Sequence, residues 1–282
     1  IISDSTNSLV KGKTNSEESV SKGLFNIINK KKGCILITCF SSNISRIKSI
    51  LSISKKINKK VLVIGRSLNR SIDAAKEVGL LDDNNPMISI KDLKKISLKS
   101  ILIICAGSQG ESNSALSRIS LGKHDKIKLS NGDTVIFSSR KIPGNENAIS
   151  KIENRLLQKG IEIINDESEN VHVSGHPSED ELIEMYNLLK PNSIIPVHGN
   201  IKQLRANSKI AKNCQVNNVL IPKNGNVIKI TNKDAILLDQ VSLDTKVSDG
   251  GEIVSLKDDR FSLRKHALWN GTVTASIVIN ND

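Results

Sequence analysis

Short apolar runs alternate with amphipathic stretches between residues 17 and 165. Continuous apolar runs are typical of strands buried on both faces. Such runs occur at residues 34–38, 61–65, 101–104, 133–138 and 161–164, and a strand tail ends at Asp4. Helical spacing of apolar residues predicts helices at 16–32, 45–56, 71–78 and 145–159, and in a stretch that ends at Ser120. This alternation predicts an α/β fold, with a parallel sheet and helices on both of its faces.

Two turns that contain histidine follow this region. Residues 171–176 (VHVSGH) and 196–199 (PVHG) each carry His after a short β-branched run, with Gly beside it. Residues 180–190 between them are amphipathic, and Pro191 breaks that stretch. The pattern predicts strand, helix and strand, with imidazoles at the carboxyl ends of neighbouring strands, where ligand sites form in open sheets. Converging imidazoles suit a metal site, a proton-transfer site or one of each.

The remaining pattern is weaker. Residues 219–222 and 226–230 are apolar runs around Asn224 and Gly225, which predicts a hairpin. Residues 249–251 indicate a turn or linker, and residues 272–279 begin a further predicted strand region that reaches the chain end at Asp282.

The chain is basic, with 41 Lys and Arg against 29 Asp and Glu, a formal net charge of +12. This balance favours a polyanionic partner. The abundance of Lys, Asn and Ile throughout the chain fits equally well with a background compositional bias. Aromatic residues make up 2%, which argues against base stacking as the main binding mode. No apolar run approaches the roughly 18 residues that a membrane span needs.

The cysteines form no CxxC pair. Most of them lie within or at the end of apolar runs, so we expect buried free thiols in a reducing compartment rather than a zinc knuckle. The four positions are Cys34, Cys39, Cys105 and Cys214.

A glycine-containing segment, residues 107–111 (GSQGE), follows a predicted strand and is expected to open a helix. Backbone N–H groups there could cradle a phosphate, with Arg118 adding charge. The alternative is a tight turn with a Ser cap. The segment matches neither GxGxxG nor a P-loop.

Asp4 ends the first predicted strand. Its carboxylate could orient a metal-ligating His or hold a water molecule, or it could accept a local Asx-turn hydrogen bond. His124 and His266 lie in basic, polar surroundings, and we expect both on the surface.

Several motifs resemble the bacterial ribonuclease J family, in order along nearly the whole chain. They are residues 3–7 (SDSTN), 64–67 (IGRS), 107–111 with 115–118 (ALSR), 142–146 (IPGNE), 172–178 (HVSGHPS), 188–191 (LLKP) and 196–199.

The resemblance implies a metallo-β-lactamase superfamily member of the β-CASP branch. Its α/β architecture would combine a parallel-sheet β-CASP domain with the returning half of a metallo-β-lactamase αββα domain. The implied segments are the end of the first metallo-β-lactamase half (1–16), the β-CASP domain (17–168), the second metallo-β-lactamase segment (169–240) and a linker with the start of a C-terminal domain (241–282).

The resemblance also implies an activity. Family members use two metal ions, usually Zn²⁺, to hydrolyse phosphodiesters of single-stranded RNA, as 5′-to-3′ exonucleases and as endonucleases. A cytoplasmic protein without a membrane partner is expected, as a homodimer or higher oligomer at full length.

Residue roles follow from the matched motifs. His198 resembles a metal ligand, His176 resembles the group that protonates the leaving 3′-oxygen, and Asp4 resembles the acidic residue that supports it. The positions that resemble RNA- and phosphate-binding residues are Ser108, Gly110, Glu111, His172 and Ser174.

The chain departs from the family pattern in its metal motif. HxHxDH, a later His and a bridging Asp are absent, and they are expected upstream of Ile1. Asn200 stands where the family commonly has Glu. The chain alone is therefore expected to be inactive. The alternatives are an RNA-binding β-CASP module without catalysis and a β-lactamase-like hydrolase of small molecules.

Overall fold

The computed structural model describes residues 1–94, 96–232 and 234–279. The strands of the described chain are β1 (Ile2–Asp4), β2 (Ile35–Thr38), β3 (Lys60–Ile64), β4 (Met87–Ile88), β5 (Ile101–Cys105), β6 (Thr134–Phe137), β7 (Glu162–Ile164), β8 (Ser193–Val197), β9 (Asn218–Val219), β10 (Asn226–Ile230), β11 (Ala235–Gln240), β12 (Lys246–Asp249) and β13 (Glu252–Ser255).

The α-helices are α1 (Glu17–Lys30), α2 (Ile44–Lys56), α3 (Arg66–Glu77), α4 (Ala115–Ser120), α5 (Glu146–Leu157), α6 (Glu179–Leu189), α7 (Ile201–Asn213) and α8 (Asp259–Asn270). Short 3₁₀ turns cover Ile90–Lys94 and Leu98–Ser100.

The chain divides into two compact units. The central unit is Gly12–Glu181, and the terminal unit joins Ile1–Lys11 to Leu182–Asp282.

The central unit is built on a six-stranded sheet in the order β4-β3-β5-β2-β6-β7. Every strand pair in it is parallel, and Ile35 of β2 pairs with Leu102 of β5 and with Thr134 of β6. All residues of β2, β5 and β6 are buried, as their continuous apolar runs predict. The predicted α/β fold with a parallel sheet is confirmed.

Helices cover both faces of this sheet. Alternate residues of a strand point to opposite faces, so Leu102 packs with the buried residues of α1, α2 and α3. Its neighbour Ile103 packs with the buried residues of α4 and α5. The two clusters form the hydrophobic core of the central unit.

The terminal unit contains a parallel three-stranded sheet in the order β1-β8-β9. A small core packs α6 and α7 against β8, through Leu182, Tyr186, Ile194 and Ile210. Two hairpins, β10–β11 and β12–β13, and helix α8 complete its described part.

Two predicted strands are absent from the described residues. Residues 171–173 have no strand conformation, because the carbonyl of Val171 accepts hydrogen bonds from Arg46 Nη1 (2.8 Å) and Ser138 Oγ (2.8 Å) instead of a ladder partner. His172 therefore does not follow a strand. Residues 272–279 are also irregular, and residues 280–282 of the same prediction lie outside the described residues.

The start of one helix and the pairing of one hairpin were also predicted wrongly. Helix α3 starts at Arg66 rather than at residue 71, because its exposed first turns carry mostly polar residues around the buried Leu68. The predicted hairpin of residues 219–222 with 226–230 does not form. The first run continues the pairing with β8, where Leu220 N–H donates to the Ile194 carbonyl (3.0 Å), and β10 pairs with β11 instead.

Candidate functional site

Asp4 and His198 meet at one edge of the terminal unit's sheet. Asp4 ends β1, and His198 directly follows β8. The two strands are parallel neighbours, and Asp4 lies opposite Val197 in their register. The carboxyl ends of parallel strands share one edge, which brings a carboxylate and an imidazole together there.

The two oxygens of Asp4 have different partners. Oδ2 lies 3.1 Å from His198 Nδ1, and Oδ1 accepts a hydrogen bond from the backbone N–H of Thr6 (2.7 Å). The Asx turn expected for Asp4 is therefore present, while its orientation of a metal-ligating His stays a prediction. The hydroxyl of Thr6 also lies 2.8 Å from His198 Nδ1, so this ring nitrogen faces two oxygen atoms.

The backbone around His198 is held in an uncommon conformation. His198 has a φ of 56°, a left-handed region that costs most non-Gly residues free energy and that clusters at functional sites. The next residue, Gly199, packs so closely that an added Cβ would lie 2.9 Å from Gln203 Cβ. Asn200 then caps α7 in a reciprocal capping box with Gln203. The turn is thus fixed from both sides.

A buried polar network that the sequence pattern does not predict supports the end of β1 at Asp4. Asn207 of α7 is fully buried. Its side-chain amide donates to the Asp4 carbonyl (3.0 Å) and to the hydroxyl of Ser5 (3.0 Å). Tyr186 Oη bonds to Ser3 Oγ (2.7 Å) and donates to the side-chain oxygen Oδ1 of Asn207. An Asn on the buried face of an amphipathic helix is the signal that could have revealed this network.

Ser108, Gly110 and Glu111 lie together in the loop after β5 of the central unit. Gly110 has a φ of 79°, and an added Cβ would lie 2.7 Å from the backbone of Ala148, so the loop requires Gly at this close approach. Ser108 is buried, and Glu111 Oε2 accepts from the backbone N–H of Gln109 (3.2 Å).

The predicted helix opening at this loop is wrong. Helix α4 begins only at Ala115, after the capping Ser114, and it is six residues long. The backbone N–H groups of residues 107–111 therefore belong to an irregular loop and not to a helix N-terminus.

His172, Ser174 and His176 lie in the irregular segment that follows Val171. Arg46, fully buried, holds the Val171 carbonyl while its guanidinium pairs with Glu17 (Nε to Oε1 2.6 Å). His172 Nδ1 is buried without a hydrogen-bond partner in the described chain. Burial, and secondarily the charge of Arg46, lower the pKa of His172, which favours the neutral form of the ring.

The turn before His176 is made by a side chain. Ser174 Oγ accepts from the backbone N–H of His176 (3.2 Å). Gly175 has no positive φ and no neighbour within 4 Å of an added Cβ. The turn therefore depends on the Ser174 side chain and not on a backbone conformation that only Gly adopts. The His176 carbonyl accepts from Thr14 Oγ1 (3.4 Å).

Two family models match the chain. Residues 32–156 match the β-CASP domain of ribonuclease J, and residues 146–222 match the Zn-dependent metallo-hydrolase RNA specificity domain.

Curated relatives match over nearly all of the chain. A "Ribonuclease J" of Sinorhizobium meliloti is 35% identical over 281 residues, which cover 100% of this chain and 50% of the relative. The chain belongs to the ribonuclease J family. "Ribonuclease J 1" of Streptococcus pyogenes is 34% identical over 99% of this chain and 50% of its own length. "Ribonuclease J" of Mycoplasma pneumoniae is 34% identical over 89% of this chain and 43% of its own length.

This ribonuclease J family member spans about half the length of the curated relatives it matches. The β-CASP match runs from the start of β2 to the end of α5, within the central unit, and so agrees with the parallel α/β sheet described above. Among the described residues, no helix is both long enough and apolar enough to cross a membrane.

The predictions for the cysteines and for His266 are confirmed, and the prediction for His124 is wrong. The cysteines are free thiols, and all but the half-buried Cys214 are buried, as expected. His266 is exposed, as expected, but His124 is not on the surface. Its Nδ1 accepts from the backbone N–H groups of Lys126 (3.3 Å) and Ile127 (3.1 Å), which buries the ring in the loop after α4.

Proposed function

We propose that this chain is part of a metal-dependent ribonuclease that hydrolyses phosphodiesters of single-stranded RNA. The observation that carries the proposal is the contact between Asp4 and His198. Both residues belong to motifs that resemble the family, residues 3–7 and 196–199, and both lie at the carboxyl edge of one sheet. The family models support the same class, since one of them describes a Zn-dependent metallo-hydrolase RNA specificity domain.

The residues of the terminal unit fit one ligand of a zinc site and its supporting carboxylate. Zn²⁺ prefers imidazole nitrogen among its ligands. A metal-bound His typically directs its other ring nitrogen to a carboxylate, which fixes the tautomer and the ring orientation. With Nδ1 facing Asp4, His198 would hold the ion through Nε2. Asp4 would act as the orienting group.

The proposed metal site holds two zinc ions at full length. Bound zinc lowers the pKa of water and neutralises charge that develops on the phosphate. We assign to His176 the protonation of the leaving 3′-oxygen, and to Asp4 the support of that proton transfer as well as of His198. An imidazole suits this task because its ordinary pKa lies near neutrality.

The proposed RNA-contacting residues are Ser108, Gly110, Glu111, His172 and Ser174. The unpartnered Nδ1 of His172 supports its inclusion, because a buried polar atom without a partner costs free energy that a ligand hydrogen bond would recover.

We also propose that the full-length protein is both a 5′-to-3′ exonuclease and an endonuclease, that it is cytoplasmic, and that it forms a homodimer or higher oligomer. The proposed division of this chain is into segments 1–16, 17–168, 169–240 and 241–282.

The test is hydrolysis of a short single-stranded RNA, labelled at its 5′ end, by the full-length protein that carries this chain. We expect products with 5′-phosphates, loss of cleavage with a chelator, and recovery with Zn²⁺. RNA that is bound but stays intact at every metal concentration would contradict the proposal. That result would favour the second candidate, an RNA-binding module without catalysis, which is supported by a cleft that Arg66, Arg70 and Arg118 line in the central unit.

A further inference from the structure

We infer that a cleft in the central unit, lined by Arg66, Arg70 and Arg118, binds the phosphodiester backbone of single-stranded RNA. The identity of the ligand rests on the proposed function. The cleft itself has a cavity volume of about 930 Å³. Arg66 and Arg70 have no assigned role so far, whereas Arg118 was expected only to add charge beside the loop of residues 107–111.

The cleft lies at the carboxyl edge of the six-stranded sheet. β3 and β5 are parallel neighbours, with Ile64 opposite Cys105 at their ends. Helix α3 starts directly after β3, and the loop that leads to α4 follows β5. The gap between these two connections is the cleft, a position where α/β sheets commonly bind ligands.

The three arginines come from two helices. Arg66 and Arg70 are four residues apart on α3, so their side chains lie on one face of that helix. Arg118 comes from α4 and lines the same cavity. All three side chains are exposed. Guanidinium groups suit phosphate because their planar donors match its oxygens bidentately.

The charge of these arginines is not neutralised within the described chain, where no hydrogen bond or ion pair occupies their guanidinium groups. Some arginines elsewhere in the described chain are paired, as Arg46 is with Glu17 and Arg260 with Glu252. Three like charges around one cavity repel each other, and an anion relieves that repulsion. The arrangement therefore favours a polyanion.

One carboxylate lines the cleft with the arginines. Glu111 would repel a phosphate, but its oxygens can accept a hydrogen bond from a ribose 2′-hydroxyl, which DNA lacks. Asn113 and Ser114 add neutral polar groups to the lining. The cleft thus offers cations for the backbone and an acceptor for the sugar, which fits RNA better than free phosphate or DNA.

The experiment measures binding of a labelled single-stranded oligouridylate to the complete chain by fluorescence anisotropy, over a series of salt concentrations. The cleft variant is Arg66→Gln/Arg70→Gln/Arg118→Gln. The control, Lys55→Gln/Lys56→Gln/Lys60→Gln, removes three charges from exposed positions at the amino-terminal edge of the same sheet, at the end of α2 and the start of β3. Because all six side chains are exposed, both variants should keep the parent's circular dichroism and unfolding midpoint.

We expect the cleft variant to bind RNA at least about 10-fold more weakly, and its slope of log affinity against log salt to fall by about 2, at roughly 0.7 for each lost phosphate contact. The control should keep its slope, and DNA of the same sequence should bind the parent more weakly than RNA. Equal weakening in both variants, an unchanged cleft variant, or a parent that binds no RNA overturns the inference.

The two proposals fail separately. If the full-length protein hydrolyses RNA while the cleft variant binds RNA like the parent, the cleft assignment alone is wrong. If the arginines are needed for RNA binding but no metal restores cleavage, only the proposal that the protein hydrolyses RNA is wrong.

Discussion

Asp4 Oδ2 lies 3.1 Å from His198 Nδ1, between the ends of two parallel strands that are far apart in the sequence. The same carboxylate accepts the N–H of Thr6, and Asn207 holds the Asp4 carbonyl. The imidazole therefore faces a carboxylate whose own position is fixed by partly buried hydrogen bonds. Metal-binding His residues typically have such an orienting partner.

Proton transfer by His176 predicts a large kinetic effect without loss of metal. In the full-length protein, His176→Ala should lower RNA cleavage by roughly 10²–10⁴-fold, the usual contribution of a general acid. Bound metal, measured by atomic emission, should stay at the parent level. His266→Ala, at an exposed His on α8, is the matched control and should cleave normally. Unchanged turnover in His176→Ala would remove this residue from the mechanism.

The ion pair between the buried Arg46 and the half-buried Glu17 predicts a strong effect on stability. Arg46→Met leaves Glu17 and the Val171 carbonyl without their donor. Breaking a fully buried pair on one side costs about 3–5 kcal/mol of unfolding free energy, and the partial exposure of Glu17 places the expected cost at the lower end of that range. Lys22→Met is the control, because it breaks the exposed Lys22–Glu18 pair (2.8 Å) on the same helix as Glu17, where the cost is about 0–1 kcal/mol. Urea unfolding compares the two, and equal midpoints would contradict the role of Arg46.

Much of the fold is predictable from the sequence, since the central sheet depends on local apolar runs such as those of β2 and β5. The conformation of residues 171–173 is not, because a β-branched run predicts a strand while the actual partner of Val171 is a side chain, Arg46, from a distant helix. The arginine-lined cleft could not be predicted from the sequence either, because its residues come together only through the pairing of β3 with β5. Asp4 and His198 were identified as candidates, but their contact depends on the pairing of β1 with β8.

Glu181 predicts a pH dependence of stability. Burial raises its pKa, but hydrogen bonds from Ser178 and Thr14 outweigh this and lower it to about 2 from the ordinary 4.5. A depressed folded pKa means that the stabilisation is present above pH 4.5 and is lost as the pH falls towards 2. Glu181→Gln should therefore be less stable than the parent at pH 7 and should lose less stability on acidification.

The control for Glu181 removes its hydroxyl donors, while the backbone N–H groups of Thr14 (3.1 Å) and Ser178 (3.0 Å) still donate to its carboxylate. In a Thr14→Val/Ser178→Ala background, Glu181→Gln should therefore change the pH dependence of unfolding less than in the parent, but should not lose its effect. The same pH effect in both backgrounds would show that the hydroxyl hydrogen bonds do not contribute to the stabilisation.

The cysteines predict a graded thiol reactivity. Burial raises the pKa of Cys34 and of Cys39 to about 12 and raises that of Cys105 as well, and the thiolate is the reactive form. In the native protein, a disulfide reagent should therefore label only the half-buried Cys214 at a measurable rate. Cys214→Ser should abolish that labelling, whereas denaturant should expose every remaining thiol. Rapid native labelling of Cys214→Ser would contradict this burial.

The central claim is that His198, oriented by Asp4, binds catalytic metal. Its most direct test is the zinc content of the full-length protein with His198→Ala, beside His266→Ala as the control. The account predicts that His198→Ala binds zinc more weakly at one site and loses RNA cleavage, while the control keeps both. Zinc bound at parental stoichiometry and affinity in His198→Ala would contradict it.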